Sequence, residues 1–418
     1  MFDRSLLSAY AHILTGALLR LVLQGAYFAA LVNALSLADY GVFASALALS
    51  LILSGGGTFG FTATMFRAAT TRRRVLGSYL AAFLAYAAVE TGLLVAVGCG
   101  LWFAILGRYI PLPAFMAILL SESLFWRLGD MLNTLSIGLG HYRHGIAIGA
   151  IASGARLLAV LAFSISGDHG VATWSGFYVC GNALAAVACA ALFWPRVRLR
   201  WTPIVLRRRL REAVSFWAIN TLQTLQIEAD KLIVLTLAGE RQAGVYALSM
   251  RIIELLIVPL KSALPPYIKG LLRHPDPFAD WRRSLAVETV IAGTAGGLFA
   301  AAAIALWLVP GLLGRNVAEA SHWFAGLPLL PVSRALLEYH REVMFAAERL
   351  ATYAMVSAVL ATLRLTTVAG VLSLSGLIGA LVLPLNVLAV VLFAISATVV
   401  WTQVIRPSVA GPKAVSRP

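Results

Sequence analysis

Charged side chains inside long apolar runs are the residues of this chain with the clearest capacity for chemistry. Nine basic and nine acidic residues lie within such runs. Each ionised group costs roughly 2.5–3.5 kcal/mol at the centre of a membrane helix, so these groups predict ion pairs between helices, a hydrated passage, or both. The basic residues are Arg20, Arg127, Arg156, Lys231, Arg251, Lys261, Arg334, Arg341 and Arg364, and the acidic residues are Glu90, Glu122, Asp130, Glu228, Asp230, Glu254, Glu288, Glu338 and Glu342.

Spacing divides these charges into two groups. Three pairs lie three or four residues apart, close enough to meet on one helical face, and ion pairing alone would explain them. These pairs are Arg127 with Asp130, Arg251 with Glu254, and Arg334 with Glu338. In contrast, Arg20, Arg156 and Arg364 have no acidic residue within four positions. They must bind a carboxylate on another helix or an anionic ligand.

Amide side chains accompany the charges at two places. Gln24 lies one helical turn after Arg20, and the spacing of Asn220, Gln223 and Asp230 places them close to one helical face. Amides both donate and accept hydrogen bonds, which suits hydroxyl-rich ligands such as sugars. Hydrogen bonding between helices is the alternative explanation for each of them.

The composition defines the class of protein. Of 418 residues, 60% are hydrophobic and only 12% are charged, and the mean hydropathy is +0.85. Apolar runs of 20 to 30 residues, each long enough to cross a hydrocarbon layer of about 30 Å, exclude a soluble enzyme, a disordered chain and a secreted disulfide scaffold. The runs predict an all-α polytopic membrane protein with helices over 11–35, 41–66, 76–106, 113–140, 145–166, 171–194, 213–238, 243–268, 285–311, 320–346, 350–374 and 376–403.

Arginine and lysine predict the orientation in the membrane. Loops on the side of the termini carry 21 of these residues, whereas the opposite loops carry only Arg108, Arg241 and Arg315. Because basic loops stay on the cytoplasmic side, both termini are expected in the cytoplasm. No cleavable signal peptide is evident, since the first apolar run is too long for one. The three cysteines lie in apolar runs without metal-ligand spacing, so neither a metal nor a cofactor is expected.

An internal repeat is the next feature. Residues 41–44 (Gly-Val-Phe-Ala) and 244–247 (Gly-Val-Tyr-Ala) open corresponding helices about half a chain length apart. The basic stretch 195–212 lies between them. We therefore predict a six-helix bundle over 1–194, a cytoplasmic linker over 195–212, a second bundle over 213–403 and a tail over 404–418. Two parallel bundles related by a pseudo-two-fold axis along the membrane normal typically enclose a central cavity.

Sequence motifs for enzymatic chemistry are absent. The chain contains no glycine-rich phosphate loop ending in Lys-Ser or Lys-Thr, and no HExxH, CxxC or GxSxG motif. A membrane-embedded glycan polymerase or ligase would need a sizeable outer loop, and the outer loops here are short. No catalytic residue is therefore assigned, and transport is the predicted activity.

Four short segments carry a family resemblance. Residues 35–44 and 57–60 resemble the signature of the first two helices of Wzx-type polysaccharide flippases, and 229–234 with 243–247 resemble their counterpart in helices 7 and 8. Lys231 stands where the family more often has arginine. The chain is thus identified as similar to the multidrug/oligosaccharidyl-lipid/polysaccharide exporter superfamily.

This resemblance implies a function in the bacterial inner membrane. Wzx-type members move undecaprenyl-pyrophosphate-linked oligosaccharides from the cytoplasmic to the periplasmic leaflet for O-antigen or exopolysaccharide synthesis. Ion-coupled alternating access driven by H⁺ or Na⁺, and a polysaccharide polymerase complex as partner, would follow; no nucleic acid partner is expected. The expected headgroup residues are Arg20, Arg127, Arg156 and Arg251, the expected sugar contacts are Gln24, Asn220 and Gln223, and the candidates for ion coupling are Asp230 and Glu254.

Three alternatives remain open. A lipid II flippase of the same superfamily usually carries two further C-terminal helices, which this sequence lacks. A drug antiporter would favour an acidic, aromatic-lined lumen over one rich in cations. An integral-membrane glycan polymerase or ligase is the alternative outside transport, and flipping of a labelled lipid-linked sugar without chain growth would exclude it.

Overall fold

The structure, a computed structural model, describes residues 4–55, 61–71, 73–272, 278 and 280–406. Every regular element of these residues is helical. The α-helices are α1 (Arg4–Ala34), α2 (Leu37–Ser54), α3 (Phe61–Thr71), α4 (Leu76–Leu101), α5 (Leu112–Leu120), α6 (Arg127–Gly138), α7 (Tyr142–Ser164), α8 (Val171–Phe193), α9 (Pro203–Ala238), α10 (Glu240–Leu271), α11 (Trp281–Leu308), α12 (Arg315–Ala325), α13 (Leu329–Ala346), α14 (Leu350–Ser375) and α15 (Val382–Val400).

Each of the twelve predicted helices has a helical counterpart among the described residues, and two of them are divided. The predicted helix over 41–66 corresponds to α2, which ends at Ser54, and α3, which begins at Phe61; residues 56–60 lie outside the described residues. The predicted helix over 320–346 consists of α12 and α13. Pro328 caps α13 and Pro331 lies in its first turn, where a proline's missing amide hydrogen costs no helical hydrogen bond.

Length and mean hydropathy distinguish the helices that could each cross a membrane from the others. Within the described residues, nine helical segments are long and apolar enough to cross a membrane. The predicted helices that do not qualify are the first, seventh and tenth, which correspond to α1, α9 and α12–α13. The part of α1 whose side chains are described, Leu19–Ala34, is apolar but shorter than the segments that qualify. Helices α9 and α13, in contrast, carry several buried charges. Membrane helices of this polar kind are stable only when their polar face is turned towards protein or water.

The chain divides into two compact units, Met1–Gly244 and Val245–Pro418. In the first unit α7 packs against α1 and α8, and α2 packs against α9. In the second unit α13 packs between α11 and α15. Helix α9 begins at Pro203, earlier than its predicted start at 213, so the C-terminal part of the predicted linker is helical. The predicted six-plus-six division of the chain stays a prediction.

Two glycines of the repeated segment meet in the first unit. A Cβ atom on Gly41 would overlap the Glu240 carbonyl oxygen and the Gly244 amide nitrogen, and one on Gly244 would overlap the Leu37 carbonyl oxygen. The backbones at the starts of α2 and α10 are therefore in direct contact. Only glycine permits this approach, which explains why both copies of the repeat begin with it.

Candidate functional site

A buried ion pair lies at the centre of the first unit. The Arg156 guanidinium on α7 donates from Nη2 to Glu122 Oε1 at 2.9 Å and from Nε to Asn182 Oδ1 at 2.9 Å. The Tyr178 hydroxyl donates to the same carboxylate oxygen. The side chain of Glu122 is 4% exposed and that of Arg156 is 19% exposed. We call Glu122, Arg156, Tyr178 and Asn182 the N-terminal charge cluster.

A π-helical turn positions the carboxylate of this cluster. Residues Ser121–Trp126 form the turn between α5 and α6, and they include both Glu122 and Trp126. Such turns insert one extra residue into an α-helix and occur frequently at functional sites. The widened turn is the local feature that distinguishes this stretch from the predicted continuous helix over 113–140.

Aromatic rings extend the cluster towards a second arginine. The Arg156 guanidinium carbon lies 4.3 Å from the centroid of the Trp126 ring, and that of Arg20 lies 5.9 Å from the same ring. Tryptophan is the most favourable ring for a cation–π contact. Trp126 thus brings together two arginines that the sequence places 136 residues apart.

A narrow cavity borders these groups. Its lining includes Arg20, Trp126, Asp130, Asn133 and Asn182, together with small residues of α7 and α8, and its volume is about 40 Å³. A space of this size accommodates ordered water rather than an oligosaccharide. In the described conformation, the cavity therefore has room for water only, and a larger ligand would enter only after the surrounding helices separate.

The remaining expected contacts of the first unit are distributed differently. Arg127 does not form the ion pair with Asp130 that its spacing permits; its guanidinium donates to the Ser54 carbonyl oxygen at the end of α2. Neither Gln24 nor Gln223 is among the residues described as lining the narrow cavity. Asn220 is exposed, and its carbonyl oxygen accepts a hydrogen bond from Thr224. The structure therefore does not bring the three expected sugar contacts to the cavity that Arg20 lines.

The acidic segment of α9 is buried against α2. Asp230 is fully buried, and Lys231 forms an ion pair of 2.6 Å with Glu228. The Ser45 hydroxyl on α2 donates to the Lys231 carbonyl oxygen at 3.2 Å. Lys231 thus has an ion-pair partner within its own helix.

The second unit contains a larger group of charges on α10, α13 and α14. Arg251 Nη1 lies 3.2 Å from Glu254 Oε2, and Arg334 Nη1 lies 3.4 Å from Glu254 Oε1. One carboxylate therefore serves two arginines, one from its own helix and one from α13. The expected pair of Arg251 with Glu254 is present, whereas Arg334 contacts Glu254 and not Glu338.

Glu338 is shared in the same way. Its Oε1 lies 2.8 Å from Lys261 Nζ and its Oε2 lies 2.8 Å from Arg341 Nη1, and Arg341 also binds Glu342 at 2.8 Å. Arg364 lies nearby on α14 and donates to the Tyr246 hydroxyl at 3.4 Å. We call these groups the C-terminal charge cluster; it consists of Arg251, Glu254, Lys261, Arg334, Glu338, Arg341, Glu342 and Arg364.

The C-terminal charge cluster has more cations than anions. Five basic side chains on α10, α13 and α14 belong to this cluster, together with three carboxylates of the same helices. A further acid of this unit, Glu288, lies 3.4 Å from His340 Nε2, whose Nδ1 contacts the Ser396 hydroxyl.

The shared carboxylates lead to a stability prediction. Replacing Glu338 by glutamine leaves Lys261 and Arg341 facing each other, and we expect the free energy of unfolding to fall by about 2 kcal/mol, since Lys261 is partly hydrated. Replacing Glu342 by glutamine should cost well under half of that, because Arg341 keeps Glu338. Thermal unfolding in detergent compares the two variants, and equal losses would contradict the assignment of Glu338 as the shared anion.

Three contributors to the N-terminal charge cluster escaped sequence reasoning. Tyr178 and Asn182 lie four residues apart on the apolar helix α8, and this spacing was the only signal for them. Trp126 follows an apolar run and resembled an ordinary core residue. Among the described residues, no group of three histidine, cysteine, aspartate or glutamate side chains is placed to bind a metal ion.

Comparison with known proteins identifies solved structures that share the fold of this chain. Neither a protein-family model nor a curated protein sequence matches the chain. An inward-facing multidrug resistance MATE family transporter of the MOP superfamily aligns at a TM-score of 0.66 and 14% identity, covering 92% of this chain and 94% of the other. An outward-facing MATE transporter aligns at 0.61 and 12% identity, covering 96% and 97%. The chain has the MATE transporter fold.

A third solved structure is also similar to this chain. It is a MOP superfamily transporter from Pyrococcus furiosus described as having a binding pocket of reverse polarity that suggests a different function. It aligns at a TM-score of 0.60 and 14% identity, covering 95% of this chain and 94% of the other. The MATE fold confirms the predicted all-α polytopic membrane architecture, and the three solved structures named above are those of transporters. The resemblance to Wzx-type flippases stays a prediction.

Proposed function

We propose that this protein is a flippase that moves polyprenyl-pyrophosphate-linked oligosaccharides across the bacterial inner membrane. The observation that carries the proposal is the cation excess of the C-terminal charge cluster, where five basic side chains face three carboxylates inside a membrane fold. Guanidinium groups bind phosphate oxygens in a bidentate geometry, so a pyrophosphate headgroup is a suitable anion for this cluster. An exporter of cationic drugs would gain nothing from such a surplus.

Arg251 is the residue of the cluster best placed to bind the headgroup. Its side chain is 37% exposed, the largest exposure among the ion-paired arginines of the cluster. When Arg251 turns to a ligand, Glu254 still has Arg334 as a partner. Arg251 can therefore exchange a carboxylate for a phosphate without leaving a buried acid uncompensated.

This exchange also couples the headgroup to an ion. Both oxygens of Glu254 are occupied by arginines in the described structure. An anion that withdraws Arg251 frees one oxygen for H⁺ or Na⁺, and the ion in turn weakens the hold on Arg251. Binding of anion and cation is then mutually favourable, as linkage between two sites requires. Asp230, fully buried in the first unit, is the second candidate for ion coupling.

The narrow N-terminal cavity fits this mechanism only as part of a moving structure. A cavity of about 40 Å³ holds water, so an oligosaccharide needs a state in which it is wider. Solved structures with this fold include both inward-facing and outward-facing conformations. Arg20, Arg127 and Arg156 would line the wider state together with the amides Gln24, Asn220 and Gln223.

Replacing Arg251 by glutamine tests the proposed function. In proteoliposomes that contain a fluorescent undecaprenyl-pyrophosphate disaccharide, we expect flipping to fall at least tenfold, since each charge-assisted bond to phosphate contributes about 1.5–3 kcal/mol. Thermal stability should change little because Glu254 keeps Arg334. Arg315→Gln, at the start of α12 and outside the cluster, is the matched control and should flip at the rate of the unaltered protein.

Three outcomes would contradict the proposal. If the unaltered protein flips the labelled lipid no faster than empty liposomes do, the substrate class is wrong. If it instead accumulates ethidium in exchange for H⁺ or Na⁺, the protein is a drug antiporter. Growth of the glycan chain during the assay would indicate a polymerase or ligase.

A further inference from the structure

An arginine-rich surface at one end of the first unit is separate from both charge clusters. Arg196, Arg198 and Arg200 are exposed in the non-helical segment between α8 and α9, and we call these three residues the arginine row. Val197, between two of them, packs against the buried core formed by α3, α4 and α6. The arginines are therefore presented outward by a segment that is itself anchored.

The backbone fixes the position of the arginine row. The Arg200 amide donates to the Gly77 carbonyl oxygen at 3.4 Å, and the Thr202 hydroxyl donates to the Ser78 hydroxyl at 3.0 Å. A Cβ atom on Gly77 would overlap the Arg198 carbonyl oxygen, so the segment lies directly on the first turn of α4. The predicted cytoplasmic linker is therefore packed against α4 up to residue 202.

Other basic groups converge on the same end of the unit. Arg73 and Arg74 are exposed in the turn before α4, and the Arg73 guanidinium donates to the Leu139 carbonyl oxygen at 3.2 Å. Arg143 is exposed at the start of α7, where the ring of the neighbouring His144 lies 5.1 Å from that of Phe193. The described residues of 73–78, 139–146 and 194–202 include no aspartate or glutamate.

The apolar residues of this surface identify its partner. Next to the arginines, Leu199 is 50% exposed and Trp201 is 62% exposed, and Tyr142 is also exposed. A soluble polyanion would leave these side chains in water. A membrane interface accommodates both kinds of group, because tryptophan and tyrosine favour the headgroup region while arginine binds phosphate. The membrane helices α4 and α7 begin here and α8 ends here, which places the surface at headgroup depth.

We propose that the arginine row, with Arg73, Arg74 and Arg143, is a binding surface for anionic phospholipid headgroups of the membrane. It lies on the side to which the distribution of basic residues assigns the cytoplasm. The bound lipids are structural partners of the first unit rather than transported substrate. This inference does not depend on the proposed flippase activity, since any transporter with this surface would bind such lipids.

The test replaces all three residues of the arginine row by glutamine, which leaves the backbone contacts with Gly77 in place. Native mass spectrometry of the full-length protein from mixed phosphatidylglycerol and phosphatidylcholine micelles measures which lipids remain bound. Because each basic residue near an anionic surface contributes roughly fivefold, we expect the preference for phosphatidylglycerol to fall about a hundredfold. Replacement of the same three residues by lysine should preserve it, and Arg315→Gln should have no effect.

Three results would overturn the inference. The first is a triple glutamine variant that retains its preference for phosphatidylglycerol. The second is that inorganic pyrophosphate displaces the bound phosphatidylglycerol from the protein, which would show a phosphate site that does not require a lipid. If the triple variant does not fold, binding to the unaltered protein at 50 and 500 mM salt decides, because a preference that salt leaves unchanged is not electrostatic.

Discussion

Replacing Arg156 by methionine is expected to lower the free energy of unfolding by about 3–5 kcal/mol. The change leaves the Glu122 carboxylate, which is 4% exposed, without its cation, and removal of one partner from a buried pair is strongly destabilising. Adding Glu122→Gln should restore most of the loss, because a neutral amide can keep the hydrogen bond with the Tyr178 hydroxyl. Thermal unfolding in detergent measures both variants.

The exposed Arg143 provides the matched control for this pair. Arg143→Met removes the same side chain from the end of the same helix, where it is hydrated, and should change stability by less than about 0.5 kcal/mol. Equal losses for Arg143→Met and Arg156→Met would show that the buried pair is not what stabilises α7. A double variant as unstable as Arg156→Met alone would show that the loss comes from packing and not from the uncompensated charge.

Replacing Gly244 by alanine is expected to cost about 3 kcal/mol, at the upper end of the usual range for overpacking. The added methyl group would overlap the Leu37 carbonyl oxygen, and a backbone carbonyl cannot move aside as a side chain can. The starts of α2 and α10 would have to separate. Gly41→Ala should have a similar effect, since its methyl group would overlap the Glu240 carbonyl oxygen.

Gly297 is the matched control for this substitution. It lies within α11, and no atom lies within 4 Å of the position of an added Cβ. Gly297→Ala should therefore be neutral or stabilise the protein by about 0.5–1 kcal/mol, because alanine restricts the unfolded chain more than glycine does. The apparent melting temperatures in detergent distinguish the two positions. Equal behaviour of Gly244→Ala and Gly297→Ala would refute the backbone contact.

Both predictions concern features that stabilise the units, whereas the transport prediction concerns Arg251. The distinction follows from how each carboxylate is shared. Glu122 has one cation, so its loss destabilises the protein. Glu254 has two, so Arg251 can be removed or redirected at little cost to folding. An arginine is the better candidate for ligand binding when its carboxylate partner keeps a second cation after the arginine has moved away.

The helical layout followed from local properties of the chain. Apolar runs set the helices within a few residues, since the hydrocarbon thickness dictates their length whatever their neighbours are. The helix ends at Ser54 and Pro328 coincide with helix-breaking glycine and proline residues, which indicate them although a break inside an apolar run changes its hydropathy very little. The early start of α9 at Pro203 was less accessible, as arginines there resemble a loop by composition although they continue a helix.

What the sequence by itself determined is that charges lie within membrane helices and that some need partners elsewhere in the chain. Only the tertiary structure decided which partners: Arg156 binds Glu122 across 34 residues, and Arg334 binds Glu254 and not the nearer Glu338. The reason is physical. Spacing within one helix limits contacts to neighbouring turns, whereas contacts between helices depend on how whole faces pack, and that information is distributed over the entire chain.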